Sequence, residues 1–242
     1  MEQFETRAEV NSLTLATGIA GRLRALITSG EIAPGEKLRL DELRTTFGVS
    51  LSPLREALSR LSADGFVVME DHRGYRVAPV SENNLLEVTK LRIEIESFAL
   101  REAIALGDDQ WESEVVASQY RLRKLEKNEP GDDRLVEWEA AHRELHQKLL
   151  SACKMPLLLS FCVTLHDLSD RYRRLFLEDH PIDRDVSDEH SRIVRATLDG
   201  KADEACELLR QHIARTGKNV LSALMQKQQA ATPARRGQGK AA

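Results

Sequence analysis

The stretch that most constrains this chain lies between residues 38 and 79, where two short amphipathic segments run straight into two β-rich ones. Asp41 to Phe47 reads as a helix with Leu40, Leu43 and Phe47 turned inward, and Gly48 suits the left-handed position that ends it. Ser50 or Ser52 can cap a following helix with Pro53 in its first turn. Leu54, Ala57, Leu58 and Leu61 form the apolar stripe of that helix, which runs to about Gly65. The segment FVVMEDHRGYRVAPV then gives two strands, Phe66 to Met69 and Tyr75 to Val77, around a polar turn containing Gly74, a small β-hairpin. A further helix is expected from Leu13 to Ser29, closed by Gly30, Pro34 and Gly35, whereas residues 1 to 12 lack periodicity.

Two short helices held at a fixed angle, the second free to enter a groove, are the layout of a helix-turn-helix, and the hairpin is its wing. Ser50, Leu51, Ser52 and Arg55 occupy the exposed start of the second helix. Arg55 is the strongest candidate, since a guanidinium can hold a guanine edge or a phosphate with two parallel hydrogen bonds. His72, Arg73 and Gly74 at the hairpin tip can approach the nucleic-acid backbone or minor groove, and Arg39 and Arg44 are candidate phosphate contacts. Arg60, late in its helix, reads as a solvated or helix-end charge. The same small α+β unit can also serve as a protein-binding module, because fold alone does not fix function.

Bulk charge does not decide between these readings. The formal net charge is -4, and residues 1 to 80 hold ten Lys/Arg against eleven Asp/Glu. The apolar share of 41% and charged share of 31% are those of an ordinary globular protein, with no apolar run long enough to cross a bilayer. Cys153, Cys162 and Cys206 form no C-x-x-C pair and cannot all be paired within the chain, so a reducing compartment is expected rather than a disulfide framework. The acidic, polar start MEQFETRAEV has no secretory character, and cytoplasmic residence is the expectation.

The stretch LRLDELRTTFGVSLSPLREALSRLSADGFVVMEDHRGYRVAPVS closely resembles the N-terminal domain of GntR-type bacterial transcription factors. Their V-S-x-x-P-[VL]-R-E-A-L-x-R-L-x-x-x-G pattern is present from Val49 to Gly65. The resemblance implies a winged helix that binds palindromic operator DNA as a homodimer, with Ser52, Arg55, His72 and Gly74 at its contacting positions. Many relatives carry arginine where this chain has Leu51, which could meet a thymine methyl or leave a phosphate uncontacted.

After Pro79 the strand signal ends, and residues 82 to 225 read as successive amphipathic helices broken at Gly107-Asp108, Pro130-Gly131, Pro156, Pro181 and Gly200. The expected organisation is a winged helix over 1–80, an all-α bundle over 81–225 and a disordered polar tail over 226–242, mainly α overall. His142 and His146 are one helical turn apart, and His190 and His212 lie on two later helices. Imidazoles converging in a bundle can bind Zn²⁺, Ni²⁺ or a similar divalent ion, although exposed histidines are common without one.

The segments LRIEIESFALREAI, WEAAHRELHQKLLSAC and DEHSRIVRATLDGKADEACELLRQHI make this half similar to the FCD domain of the FadR subfamily, over roughly residues 82 to 218. The resemblance implies a metal held by a D-x-x-x-H pair and two later histidines, and a carboxylate effector beside it. His146, His190 and His212 fall on the three histidine positions, while His142 stands where many members have aspartate, which favours nitrogen-preferring ions. The implied effector is a small organic acid, its carboxylate meeting open metal positions and an arginine fork. Arg92 matches a frequently functional arginine, or else forms a surface ion pair with Glu96 at i+4. Arg171, Arg173 and Arg174 read as a solvated helix face.

An enzyme is not expected. In H-R-E-L-H at 142–146, Glu144 lies about 200° around the helix from the histidine face, so it cannot act as the base of an H-E-x-x-H metalloprotease. No G-x-S-x-G elbow, P-loop or dinucleotide fingerprint is present. A dimeric adaptor that keeps a winged helix without DNA affinity remains an alternative, motivated by Leu51 and the non-basic first domain.

Overall fold

In the computed structural model, which describes residues 7–71, 73–126, 132–176 and 184–231, the first apolar periodicity becomes a helix longer than expected, α1 (Arg7–Ser29). Ile19, Leu23 and Ile27 of α1 pack on Leu54, Ala57, Leu58 and Leu61 of α3 (Leu51–Ala63). Between them α2 (Leu40–Phe47) is stopped by Gly48 at φ 63°, whose N–H bonds Thr45 while that of Val49 bonds Arg44. These bonds close the carbonyls that the last turn leaves open.

The wing is a three-stranded sheet rather than the expected hairpin alone. β2 (Val67–Glu70) and β3 (Gly74–Val77) pair antiparallel with Val67 opposite Val77 and Glu70 opposite Gly74, and β1 (Lys37–Leu38) adds to the other edge of β3. Two residues are too few to show alternation, so β1 gave no period-2 signal. Gly74 enters β3 at φ 92°, a conformation that side chains with a Cβ rarely adopt.

The second half is α4 (Glu82–Leu106), α5 (Asp109–Glu126), α6 (Asp132–Leu150), α7 (Pro156–Phe176), α8 (Arg184–Leu198) and α9 (Ala202–Ala231). Its core is built from Leu100, Val115, Leu122, Leu145, Leu209 and Ile213 with their buried neighbours. Ser81 caps α4 by accepting from the Asn84 N–H at 3.2 Å. Gly107 and Gly200 fall between helices as expected and Pro156 opens α7, whereas Pro130-Gly131 and Pro181 lie outside the described residues. Helix α9 extends six residues into the stretch expected as tail, to Ala231; residues 232–242 lie outside the described ones.

The two halves share a core. Leu168 of α7 and Val88 of α4 are buried within the apolar cluster of the winged helix. Arg24 of α1 bonds Asp64 at 2.5 Å and Asp167 of α7 at 3.4 Å, and the Tyr172 hydroxyl accepts from the Ser81 N–H at 3.1 Å.

Candidate functional site

Two regions carry the expected chemistry. In the winged helix, Ser50, Ser52 and Arg55 are exposed at the start of α3, and Ser50 is the N-cap residue without using its side chain as a cap. Arg55 faces the wing across a shallow cleft that it shares with Leu40, Met69, Asp71, Gly74 and Tyr75. Arg39, Arg44 and Arg73 are exposed; Arg39 pairs with Glu42 at 3.0 Å, whereas Arg44, Arg55 and Arg73 form no ion pair with a described residue. His72 lies outside the described residues. Leu51 is half-buried, and Arg60 is held by Glu56 (2.6 Å) and Thr17 (2.8 Å), in keeping with a structural charge.

In the bundle, α6 presents His142 and His146 on one face, α8 supplies His190 and α9 His212, all at most 5% exposed. One ring nitrogen from each lies within 4.8 Å of the others. Burial pushes the pKa of His142 and His146 well below the usual imidazole value and that of His212 down to about 4, so these three rings are neutral. His146 Nε2 and both nitrogens of His190 are buried without a hydrogen-bond partner among the described residues. Buried imidazole nitrogens that face one another without partners are costly unless an ion or ligand completes them. The four-histidine donor set is therefore consistent with a metal site. His212 is backed by Glu189, to which Nδ1 lies at 2.9 Å, and His190 Nδ1 lies 3.9 Å from Glu126. A carboxylate behind a ligating histidine fixes its orientation and raises its basicity.

Sequence reasoning missed a fifth histidine. His166 of α7 is 3% exposed, with its ring 5.3 Å from that of His146. Its signal was available, since Asp170 follows at i+4 on the same helix, 3.5 Å from Nε2. The expectation of a solvated arginine face at 171–174 is overturned for Arg171 and Arg173, which are 2% and 8% exposed. Arg173 bonds Glu139 and Asp170 (2.9 Å), Arg143 bonds Asp167 and Asp170 (2.5 Å), and Arg171 donates to the Ala78 carbonyl. Carboxylates from α6 and from α7 itself neutralise Arg143 and Arg173, whereas Arg171 is met by a backbone carbonyl alone.

Both readings of Arg92 concern the same atoms. It is buried rather than at the surface, forks onto Glu96 at 2.6 and 3.2 Å, and also donates to Ser169 (2.8 Å) and His166 Nδ1 (3.1 Å). Beside this pair opens a cavity of about 270 Å³, polar where His146, His166 and Glu96 reach it and apolar along Leu150, Leu159 and Val163. An apolar pocket with a few convergent polar groups is the usual form of a small-molecule site.

Among the described residues, no helix is long and apolar enough to cross a membrane. Residues 15–77 match the family described as bacterial regulatory proteins, gntR family, and residues 87–215 match the FCD domain. The chain is 36% identical over 191 residues to the HTH-type transcriptional repressor GlaR of Escherichia coli (strain K12), covering 77% of this chain and 87% of that protein. It is also 36% identical over 208 residues to the HTH-type transcriptional regulator BphR of Paraburkholderia xenovorans (strain LB400), covering 85% and 84%. The fold of E. coli McbR/YncC superposes with a TM-score of 0.72 at 20% identity, over 88% of this chain and 98% of that one. With a winged helix at one end, a histidine-lined bundle at the other and matches spanning both, the chain belongs to the GntR family of transcriptional regulators, in its FadR-like branch with a C-terminal FCD domain.

Proposed function

We propose that the chain is a metabolite-responsive repressor whose affinity for palindromic operator DNA is set by a small organic acid bound beside a metal in the bundle. The observation that carries this reading is the buried histidine centre next to a cavity, on a bundle that shares α7 with the winged-helix core. Zinc or nickel would be held by His146, His190 and His212 together with His142. The metal would supply a Lewis-acidic anchor for the acid's carboxylate, with Arg92 standing behind the cavity through its bonds to Glu96 and His166. The protein acts in the cytoplasm as a homodimer, placing two copies of Ser50, Ser52, Arg55 and the wing in successive major grooves, with Arg39 and Arg44 on phosphates. Repression is supported by the 36% identity to GlaR, itself named a repressor.

By linkage, an acid weakens DNA binding only if it prefers the conformation that binds DNA poorly, and a coupling of about 1–3 kcal/mol is typical. The test combines three measurements on purified full-length protein. Elemental analysis should find about one divalent ion per chain, lost in a His146→Ala/His190→Ala variant. Thermal-shift screening against organic acids should give hits that vanish with a chelator. Gel shifts on the promoter of its own gene should give a complex that the acid hits weaken and that fades steeply with salt. A full metal equivalent in the double variant refutes the metal centre, and no DNA binding at low salt favours the adaptor reading.

A further inference from the structure

The five histidines buried among the described residues differ in what stands behind each ring. Behind His212 stands a carboxylate, Glu189, 2.9 Å from Nδ1. A carboxylate only accepts, so His212 carries its proton on Nδ1 and turns a free Nε2 lone pair inward. Behind His142 stands a guanidinium: Arg173 Nη1 lies 3.0 Å from His142 Nδ1. A guanidinium only donates, so His142 Nδ1 must accept and its single proton sits on Nε2. His166 repeats this arrangement, its Nδ1 accepting from Arg92 at 3.1 Å. A ring that accepts at Nδ1 is neutral and holds its one proton on Nε2, so neither has a second lone pair to offer.

From this division we infer that His142 is not a metal ligand but a hydrogen-bond donor, which with His166 receives the anion that occupies the metal's open position. This rests on the metal centre proposed above and changes the role of one corner. The argument holds whichever nitrogen of His142 faces the centre, because Nδ1 has its lone pair taken by Arg173 and Nε2 carries the proton. Nor is Arg173 free to swing away. It is tied to Glu139 and to Asp170 (2.9 Å), and its guanidinium lies 5.5 Å from the centroid of Trp138, the ring stacked on His142 at 4.9 Å.

The same rule disposes of a second candidate metal group, Glu96, His146 and His166. Arg92 takes the His166 Nδ1 lone pair and forks onto Glu96, so only His146 and an already paired carboxylate remain, too few donors to hold an ion. His166 Nε2 makes no hydrogen bond, its nearest charged neighbour being Asp170 at 3.5 Å, and the ring lines the cavity. An N–H there without an acceptor suits a carboxylate or another small anion. Three histidine ligands and an exogenous anion complete a four-coordinate site, the open form that such ions take when they bind something further.

Two experiments decide it. Long-range ¹H–¹⁵N spectra of histidine-labelled, metal-free protein, assigned with single His→Gln variants, should show His142 and His166 protonated at Nε2 and His212 at Nδ1. An Nδ1–H on His142 overturns the inference. The second experiment measures Zn²⁺ affinity by competition with a chromophoric chelator, and acetate affinity of the Co²⁺-loaded protein by visible absorption. His146→Ala, His190→Ala and His212→Ala should each lose about 100-fold or more in metal affinity. His142→Ala should lose less than about fivefold in Zn²⁺ affinity but ten- to a hundredfold in acetate affinity, the range for a hydrogen bond to a charged group. His142→Asp should bind Zn²⁺ more tightly and acetate more weakly than the wild-type chain. If His142→Ala loses the metal as the other three do, His142 is a ligand and the inference fails while the metal centre stands. If the wild-type chain itself takes up no metal, the metal centre falls and this inference falls with it.

Discussion

Leu168→Ala tests whether the two halves of this protein are one cooperative unit. Leu168 belongs to α7 of the bundle, yet it is 8% exposed inside the winged-helix core, where its Cδ1 lies 3.9 Å from the point a Cβ on Gly65 would occupy. Removing three carbons from a packed site costs about 2–5 kcal/mol, and a partly accessible position at a domain boundary falls near the lower end, about 2–3 kcal/mol. With a urea slope of about 1–2 kcal/mol/M for a small domain, the winged helix should melt about 1–3 M earlier. Both tryptophans, Trp111 and Trp138, are in the bundle, so their fluorescence reports on that half alone while far-ultraviolet circular dichroism reports on both. Wild-type protein should give coincident curves. In the variant the dichroism curve should begin to fall before the fluorescence changes. Curves that stay coincident with a loss below about 0.5 kcal/mol would refute the shared core, because that is the scale of an ordinary surface substitution.

Arg55→Ala should weaken binding to a palindromic operator by about 100-fold or more, taking about 1–3 kcal/mol per lost bidentate base contact in each half-site, with thermal stability unchanged because Arg55 is exposed and unpaired; normal operator binding by gel shift would misplace the recognition helix. Gly107→Ala should cost about 2–3 kcal/mol in chemical denaturation by overpacking, since the added Cβ would sit 2.1 Å from the Trp111 ring, and a neutral result would mean that the α4–α5 corner is loose. Metal-free protein should lose stability on acidification. Burial holds His166 at about 3 and His212 at about 4 in the fold against 6.5 in the free side chain, so below pH 6.5 the unfolded chain binds more protons and stability falls as the pH drops toward 4. Asp170, held at about 2 against 3.8, adds its own loss only below about pH 3.8. Urea midpoints at pH 7.5, 6 and 5 check this, and a midpoint that rises on acidification contradicts it.

What was legible in the sequence was local. The α2–Gly48–α3 unit, the two wing strands and the pairing of Arg92 with Glu96 all follow from spacings of a few residues. The histidine centre was half-legible, because His142 and His146 are a helical turn apart while His190 and His212 join them only through the bundle's topology. The rest was set by partners far along the chain. Arg173 reads as a surface charge until α7 places it 31 positions away against His142 and beside Glu139. Arg92 takes its third partner, His166, 74 positions downstream. Pattern reading assigns charges to water by default, and a buried ionic network is the case in which tertiary pairing overrides that default.

That network also bears on how a filled bundle could act at a distance. Along α7, His166 lines the cavity, Asp167 bonds Arg24 of the winged helix, Leu168 enters its core and Ser169 accepts from Arg92. Arg171 then holds the Ala78 carbonyl and Tyr172 donates to Asn84 at 2.9 Å, so the connection between the halves is gripped as well. A helix is stiff over this length, and its neighbours here are close-packed, so a shift that brings His166 toward an anion cannot be absorbed between residues 166 and 172. It must appear either as a displacement of α1 through Arg24 and Leu168 or as strain on the connection at 78–84. In each case the winged helix moves relative to the bundle, and in the proposed homodimer this alters the distance between the two recognition helices. Because operator half-sites demand a set spacing, a small rotation at α7 becomes a difference in DNA affinity, and by reciprocity operator DNA alters the affinity of the histidine centre by the same factor.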